Sequence, residues 1–183
     1  MTKKYELTTE TKVVDGKTLY RIKALITFGD VHVGDVGGFV ESDTNLSHSG
    51  NAWVSGNAKV CGNAWVSDNA KVSDNAWVSD NAWVCGHAEV SGNAWVCGNA
   101  KVYDNASVSG NASVSGNAWV SGNAWVSGNA KVYDNAWVYG NASVSGNAKV
   151  YDNAWVYGNA KVCGNAWVCG NDIATEAVLN VDT

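Results

Sequence analysis

The sequence contains no proline, one methionine and only two phenylalanines among its 183 residues. Charged residues make up 16% of the chain, against about 25% in an ordinary domain, which argues against a charge-rich disordered segment. The net charge of −5 disfavours a nucleic-acid partner, which would require clustered lysine and arginine. No apolar run approaches the roughly 20 residues of a membrane span, and the start has no apolar signal-peptide segment. We therefore expect a cytoplasmic protein with neither nucleic acid nor membrane as partner.

One repeated six-residue phrase makes up most of the sequence. Residues 51–170 repeat Asn-Ala-x-Val-y-Gly/Asp twenty times without insertion or deletion. Alanine and valine keep their slots in every copy, and the asparagine slot is broken once, by His87. The x slot holds Trp, Lys, Ser or Glu, and the y slot holds Ser, Cys or Tyr. Such self-similarity is typical of a solenoid.

The period of six fits a strand and not a helix. A helix with 3.6 residues per turn would spread the valines around its whole surface. In a strand, side chains alternate, so Ala and Val share the inner face while x and y point outward. The Gly/Asp-Asn pair that follows is typical of a turn, because these residues tolerate positive φ or bond their own backbone. Three phrases, or about 18 residues, would close one triangular coil of a parallel β-helix around a narrow core.

The phrase, as in Val54-Ser-Gly-Asn-Ala-Lys59, resembles the motif of hexapeptide-repeat proteins, best known from trimeric bacterial acyltransferases. The resemblance covers residues 51–170 and implies an all-β, single-stranded, left-handed parallel β-helix. Ser, Cys or Tyr stands where that family prefers glycine. Residues 21–25, 37–42 and 45–47 also resemble the start of a bacterial subgroup labelled as acetyltransferases without clear biochemical support. The resemblance implies acyl-CoA as the cofactor if the protein is an enzyme.

The segments outside the repeat are predicted to cap it. Asp15-Gly16 lies between two alternating runs, which indicates a β-hairpin. We interpret residues 1–50 as this hairpin followed by an entry coil from Val40 to Leu46, residues 51–170 as the β-helix, and residues 171–183 as a C-terminal cap. The alternative, a separate functional domain in residues 1–50, is disfavoured by its short length.

A coil made of three phrases stacks the x residues in three columns. The one named here the tryptophan column contains Trp65, Trp83, Lys101, Trp119, Trp137 and Trp155. Tyr139 and Tyr157 lie beside it in the y slot. Such an apolar surface indicates a binding interface, for a homo-oligomer (trimer or dimer) or a protein partner. Two alternatives stay open: the column only stiffens the sheet, or it captures a flat ligand such as a sugar or nucleobase on Trp119, Trp137 and Trp155.

The five cysteines occupy outward y slots, and no two stack on neighbouring coils. We therefore expect free surface thiols, a reducing compartment and no metal site. His87 and Glu89 are weak catalytic candidates, because a histidine–carboxylate pair can transfer protons. The alternative is that His87 simply fills a corner at positive φ, as asparagine does.

These patterns favour a non-catalytic structural or binding scaffold without a cofactor. An acyltransferase of the hexapeptide-repeat class is the alternative, and ligand capture by aromatic stacking is the second. In another column, Lys131 and Lys149 fall on adjacent coils, where we expect a small cost from the repulsion of their like charges, partly offset by Asp134 and Asp152.

Overall fold

The computed structural model describes residues 2–180, which form an all-β solenoid with a hairpin at one end. Strands β1 (Tyr5–Val14) and β2 (Lys17–Ala24) pair antiparallel around Asp15 and Gly16, both at positive φ as a tight hairpin turn requires. Strand β3 (Val36–Val40) pairs antiparallel with β2 and parallel with the first solenoid strand beside it. A 3-10 turn spans Asp43–Asn45. The predicted hairpin is confirmed, and it is continuous with one solenoid sheet.

Strands separated by three phrases pair in parallel and build three faces, which confirms the predicted coil length. The hairpin face adds to β1–β3 the strands Lys59–Val60, Trp77–Val78, Trp95–Val96, Ser113–Val114, Lys131–Val132, Lys149–Val150 and Trp167–Val168. The groove face contains Trp53–Val54, Lys71–Val72, Glu89–Val90, Ser107–Val108, Trp125–Val126, Ser143–Val144, Lys161–Gly164 and Val178–Asn180. The tryptophan face contains Trp65–Val66, Trp83–Val84, Lys101–Val102, Trp119–Val120, Trp137–Val138, Trp155–Val156 and Ile173–Ala174.

The core of the solenoid is made of the repeated valines and alanines. From Ala70 to Val162, every Val and Ala of the phrase is buried. Each fully buried valine contributes roughly 1.5–3 kcal/mol through removal of its side chain from water. The interior is therefore uniform along its length, and the differences between coils lie on the outside.

The N-terminal segment closes the first coil. Tyr5, Ile22 and Leu46 are buried against the end of the valine core. Lys4 is also buried, and its Nζ donates to the carbonyl oxygens of Ala52 at 2.8 Å and Gly50 at 3.4 Å. These bonds satisfy carbonyl groups at the end of the coil, which would otherwise lack partners. The N-terminal segment therefore covers this end of the valine core.

The corners are fixed by side chains as well as by backbone. Asp68 lies at φ 59, and its Oδ2 accepts a hydrogen bond from the backbone N–H of Gly86 on the next coil at 3.0 Å. Corner asparagines bond one another along the axis, as when Asn117 Nδ2 donates to Asn135 Oδ1 at 3.0 Å. Both contacts join residues one coil apart in the chain, so they hold adjacent coils in register.

The parallel ladder continues past residue 170. Ile173–Ala174 pairs with Trp155–Val156, and Val178–Asn180 pairs with Val162, Cys163 and Gly164. The parallel pairing thus extends into the segment predicted as a C-terminal cap, of which residues 181–183 lie outside the described residues. Within residues 2–180, no helix is long and apolar enough to cross a membrane.

Candidate functional site

The tryptophan face carries two stacks of aromatic rings. Trp119 and Trp137 have ring centroids 4.6 Å apart with an interplanar angle of 10°, and Trp137 and Trp155 have centroids 5.6 Å apart at 15°. Beside them, Tyr139 and Tyr157 stack at 5.0 Å and 9°. The structure therefore stacks three of the five tryptophans that the coil length places in one column. Parallel strands one rung apart impose this ring spacing.

Lys101 continues the column instead of interrupting it. Its Nζ lies 5.3 Å from the ring centroid of Trp83 and 4.7 Å from that of Trp119. An ammonium over an indole face at an exposed site contributes about 0.5–1 kcal/mol. Sequence reasoning identified the column but missed this role of Lys101. The available signal was a lysine with a tryptophan one coil before it and another one coil after it.

The indoles of the tryptophan column remain accessible to solvent to different extents. Trp65, Trp83 and Trp155 are 46%, 53% and 42% exposed, while Trp119 and Trp137 are only partly accessible. Rings that stack on each other cover each other's faces, and a flat ligand needs a free face on which to stack. The surface is thus a ridged apolar strip, better suited to another protein surface than to a sugar or a nucleobase.

A second feature is a concavity of about 730 Å³ on the groove face, beneath residues 29–36 of the N-terminal segment. His87, the break in the asparagine slot, and Glu89, the single acidic residue in an x slot, both line it. Lys71, also in the lining, binds Asp30 of the overhanging loop through a 3.1 Å ion pair. The overhang makes this concavity, so the repeat sequence alone gave no sign of it.

His87 takes the structural position of an asparagine in the corner ladder. Its Nε2 lies 3.4 Å from Asn69 Nδ2. Because an amide nitrogen can only donate, Nε2 of His87 is the acceptor in this contact. The structure shows no hydrogen bond or ion pair between His87 and Glu89 in the part of the chain that it describes. This geometry favours the structural alternative over acid–base chemistry.

Two side chains predicted to point into solvent are covered. Trp53 is 8% exposed, because the ring of Phe28 packs edge-on against it at 5.5 Å. Cys61 is 4% exposed and packs with Leu19 and Phe39 of the hairpin. The expectation of a surface thiol is therefore wrong for Cys61. Both residues do occupy outward slots, but the N-terminal segment covers the first coil.

Three of the five thiols are poorly suited to nucleophilic chemistry, because burial raises their pKa values. All five cysteines are free. Burial raises the pKa of Cys61, although Trp77 Nε1, which donates to its Sγ at 3.2 Å, acts in the opposite direction. Burial also raises the pKa of Cys85 and of Cys97. A raised pKa lowers the thiolate fraction that attacks electrophiles. Among the described residues, no group of three or more His, Cys, Asp or Glu could hold a metal ion.

Fold and surfaces together define a β-solenoid repeat protein. A family model, the YdcK beta solenoid repeat, matches residues 112–128, which is about the length of one coil. The match is to a solenoid repeat and not to an acyltransferase family. A comparison with curated proteins found no match.

Proposed function

We propose that the protein is a non-catalytic scaffold that associates with a second copy of itself through the tryptophan face, as a dimer or a trimer. The observation that supports this proposal is the column of exposed aromatic side chains, in which Trp65, Trp83 and Trp155 are each about half exposed. Contiguous apolar surface of this kind usually marks an interface.

The strip is large enough to form the centre of an interface. With about 150–250 Å² per aromatic side chain, the exposed parts of the five tryptophans and two tyrosines add up to about 500 Å². A stable interface buries about 800 Å² on each partner, with an apolar centre and a polar rim. The serines and corner asparagines on either side of the column supply polar groups for such a rim.

A second copy of the chain fits this surface best, because its aromatic side chains repeat at the same spacing along the solenoid axis. The ridges of the strip repeat once per coil, at about 4.8 Å. Another copy has the same repeat, so its ridges can enter the grooves of the first along the whole strip. A partner with a different spacing would lose register after a few coils. Stacked indoles also lose little side-chain freedom when a partner covers them, since their neighbours already hold them.

The experiment is sedimentation equilibrium at low to high micromolar concentration, with two matched variants. Trp83→Ser removes an indole of the tryptophan face that is 53% exposed, and Trp125→Ser removes one of the groove face that is 55% exposed. Serine occupies the same slot at Ser107, so both variants suit the fold. We expect a dimer or trimer for the wild type and Trp125→Ser, and a monomer for Trp83→Ser.

A wild-type protein that stays monomeric at high micromolar concentration would remove the self-association proposal. Equal weakening of the oligomer by Trp83→Ser and Trp125→Ser would also contradict it, because the effect would not depend on the face. If the monomer instead binds a different protein in a way that only Trp83→Ser abolishes, the scaffold role holds with another partner.

A second candidate function is acyl transfer from acyl-CoA. One observation favours it: His87 and Glu89 line the same concavity under the N-terminal segment. Titration of acetyl-CoA by calorimetry separates this function from the scaffold role. Micromolar binding that His87→Asn abolishes would support acyl transfer. We expect no such binding and an unchanged fold in His87→Asn, because asparagine is the residue of the repeat at this corner.

A further inference from the structure

A small concavity on the hairpin face, named here the lysine pocket, is lined by Ser113, Ser115, Lys131, Tyr133 and Lys149. Its volume is about 330 Å³. Every one of these side chains can donate hydrogen bonds, and none is a carboxylate. This composition is unusual in a chain with a net charge of −5.

The two lysines lie directly opposite each other. Lys131 and Lys149 are register partners in adjacent parallel strands. Like charges in this arrangement destabilise a sheet unless something lies between them. Lys149 is partly compensated, since its Nζ lies 4.7 Å from the ring centroid of Trp167. Lys131 has no ion pair or ring contact within the part of the chain that the structure describes.

The hydroxyl groups complete a set of donors. Ser113 is the register partner of Lys131 on the preceding coil, so serine and lysine side chains follow one another at strand spacing. Burial raises the pKa of Tyr133, with Asp134 and Asp152 adding to the effect, so its hydroxyl keeps its proton and can donate.

The nearby carboxylates lie outside this set. Asp134 and Asp152 occupy the corner that follows Tyr133 and Tyr151, and neither lines the pocket. Asp152 Oδ2 accepts a hydrogen bond from the backbone N–H of Gly170 at 3.1 Å. Asp152 is thereby held on the corner and not against the lysines.

We propose that the lysine pocket binds a tetrahedral oxyanion, the phosphate or sulfate group of a small molecule, between Lys131 and Lys149. Neighbouring strands are about 4.8 Å apart, so the ammonium groups of two lysines on adjacent strands can reach oxygens of the same anion. A phosphate monoester carries about −1.5 to −2 charges at neutral pH, which balances the two lysines. A volume near the lower limit of small-molecule sites leaves room for a compact organic group beside the anion.

The test is an NMR titration of the full chain at constant ionic strength with inorganic phosphate, sulfate, phenyl phosphate and acetate. Sodium chloride serves as the reference. The variants are Lys131→Ser and Lys149→Ser, since serine is the residue at Ser113 of the same column. The matched control is Lys161→Ser, which removes an exposed lysine in the same slot of the groove face.

We expect saturable shifts of the amide signals around Lys131 and Lys149 with phosphate, sulfate or phenyl phosphate. Each pocket variant should weaken binding by about tenfold, and Lys161→Ser should leave it unchanged. A stronger response to inorganic phosphate than to sulfate would assign the source as a phosphate ester, and the reverse would assign a sulfate ester. No saturable shift, equal affinity in all variants, or acetate binding as tightly as phosphate would each overturn the proposal. Thermal unfolding of each variant verifies that it is folded.

Discussion

The corner glycines provide a sharp test of how the coils stack. Gly110 lies at φ 68, a conformation that side chains with a Cβ atom disfavour by about 1–2 kcal/mol. A methyl group added there would lie 3.0 Å from both the backbone nitrogen and the backbone oxygen of Gly128 on the next coil. Moving those atoms apart adds part of the roughly 1–3 kcal/mol that overpacking costs. We therefore expect Gly110→Ala to lower the free energy of unfolding by about 2–4 kcal/mol.

Aspartate at the same corner should be tolerated better than alanine, although it is larger. Asp104 occupies an equivalent corner at φ 59, and its Oδ2 accepts from the backbone N–H of Gly122 at 3.1 Å. Gly110→Asp would face Gly128 in the same manner. The new hydrogen bond contributes about 1–2 kcal/mol, and aspartate tolerates positive φ. The aspartate variant should therefore be more stable than the alanine variant by about 1–3 kcal/mol.

Urea unfolding followed by far-UV circular dichroism measures both variants, with Ser127→Ala as a control for an outward slot. The control should differ from the wild type by less than about 0.5 kcal/mol. Equal m-values would show that the same surface is exposed in each case. If Gly110→Ala proves as stable as Gly110→Asp, the hydrogen bond between coils does not explain why only Gly and Asp occupy the corners.

Two further predictions concern the capped end. Burial lowers the pKa of Lys4 to about 8, against about 10.4 in the unfolded chain, so between these values the unfolded state binds more protons and stability rises with pH. From about pH 8 to about pH 10, the free energy of unfolding of the wild type should rise by up to about 2 kcal/mol relative to that of Lys4→Met. The raised pKa values of the buried thiols change stability in the opposite direction, but these thiols are present in both proteins and cancel in the comparison. A stability difference between the wild type and Lys4→Met that does not change with pH would contradict the lowered pKa of Lys4. The second prediction is that iodoacetamide at about pH 8 alkylates Cys61 on the order of tenfold more slowly than Cys163, because Cys61 is covered by the hairpin and its pKa is raised. Mass spectrometry of partially alkylated protein measures both rates, and equal rates would show that the cover opens freely.

Much of the fold was predictable because the repeat is local and periodic. Alternation along a strand places Ala and Val inside, and the Gly/Asp-Asn corner ends each strand after the same number of residues. The pairing of Trp119 with Trp137 then follows from counting three phrases along the chain. These inferences require no contact between distant and dissimilar segments.

The candidate sites were less predictable because they depend on such contacts. Residues 29–36 do not follow the repeat, and their path over the groove face decides that His87 and Glu89 line one concavity. Phe28, the residue just before this segment, packs on Trp53 and buries it, against expectation. A period assigns a residue to an outward slot, but it does not indicate which outward slots another segment will cover.

The repeated phrase is enough to predict the coil length, the core and the column in which the tryptophans lie, because alternation along each strand turns the invariant Val and Ala inward at a period of six. Which outer side chains are covered, and which contact each other, is decided only by the folded structure. Ring orientation, the position of Lys101 between two indoles and the cover over Cys61 result from side-chain packing and from the non-repeating hairpin. Burial of the repeated apolar residues follows from spacing, whereas contacts on the outside depend on the shapes of the side chains and segments that meet there.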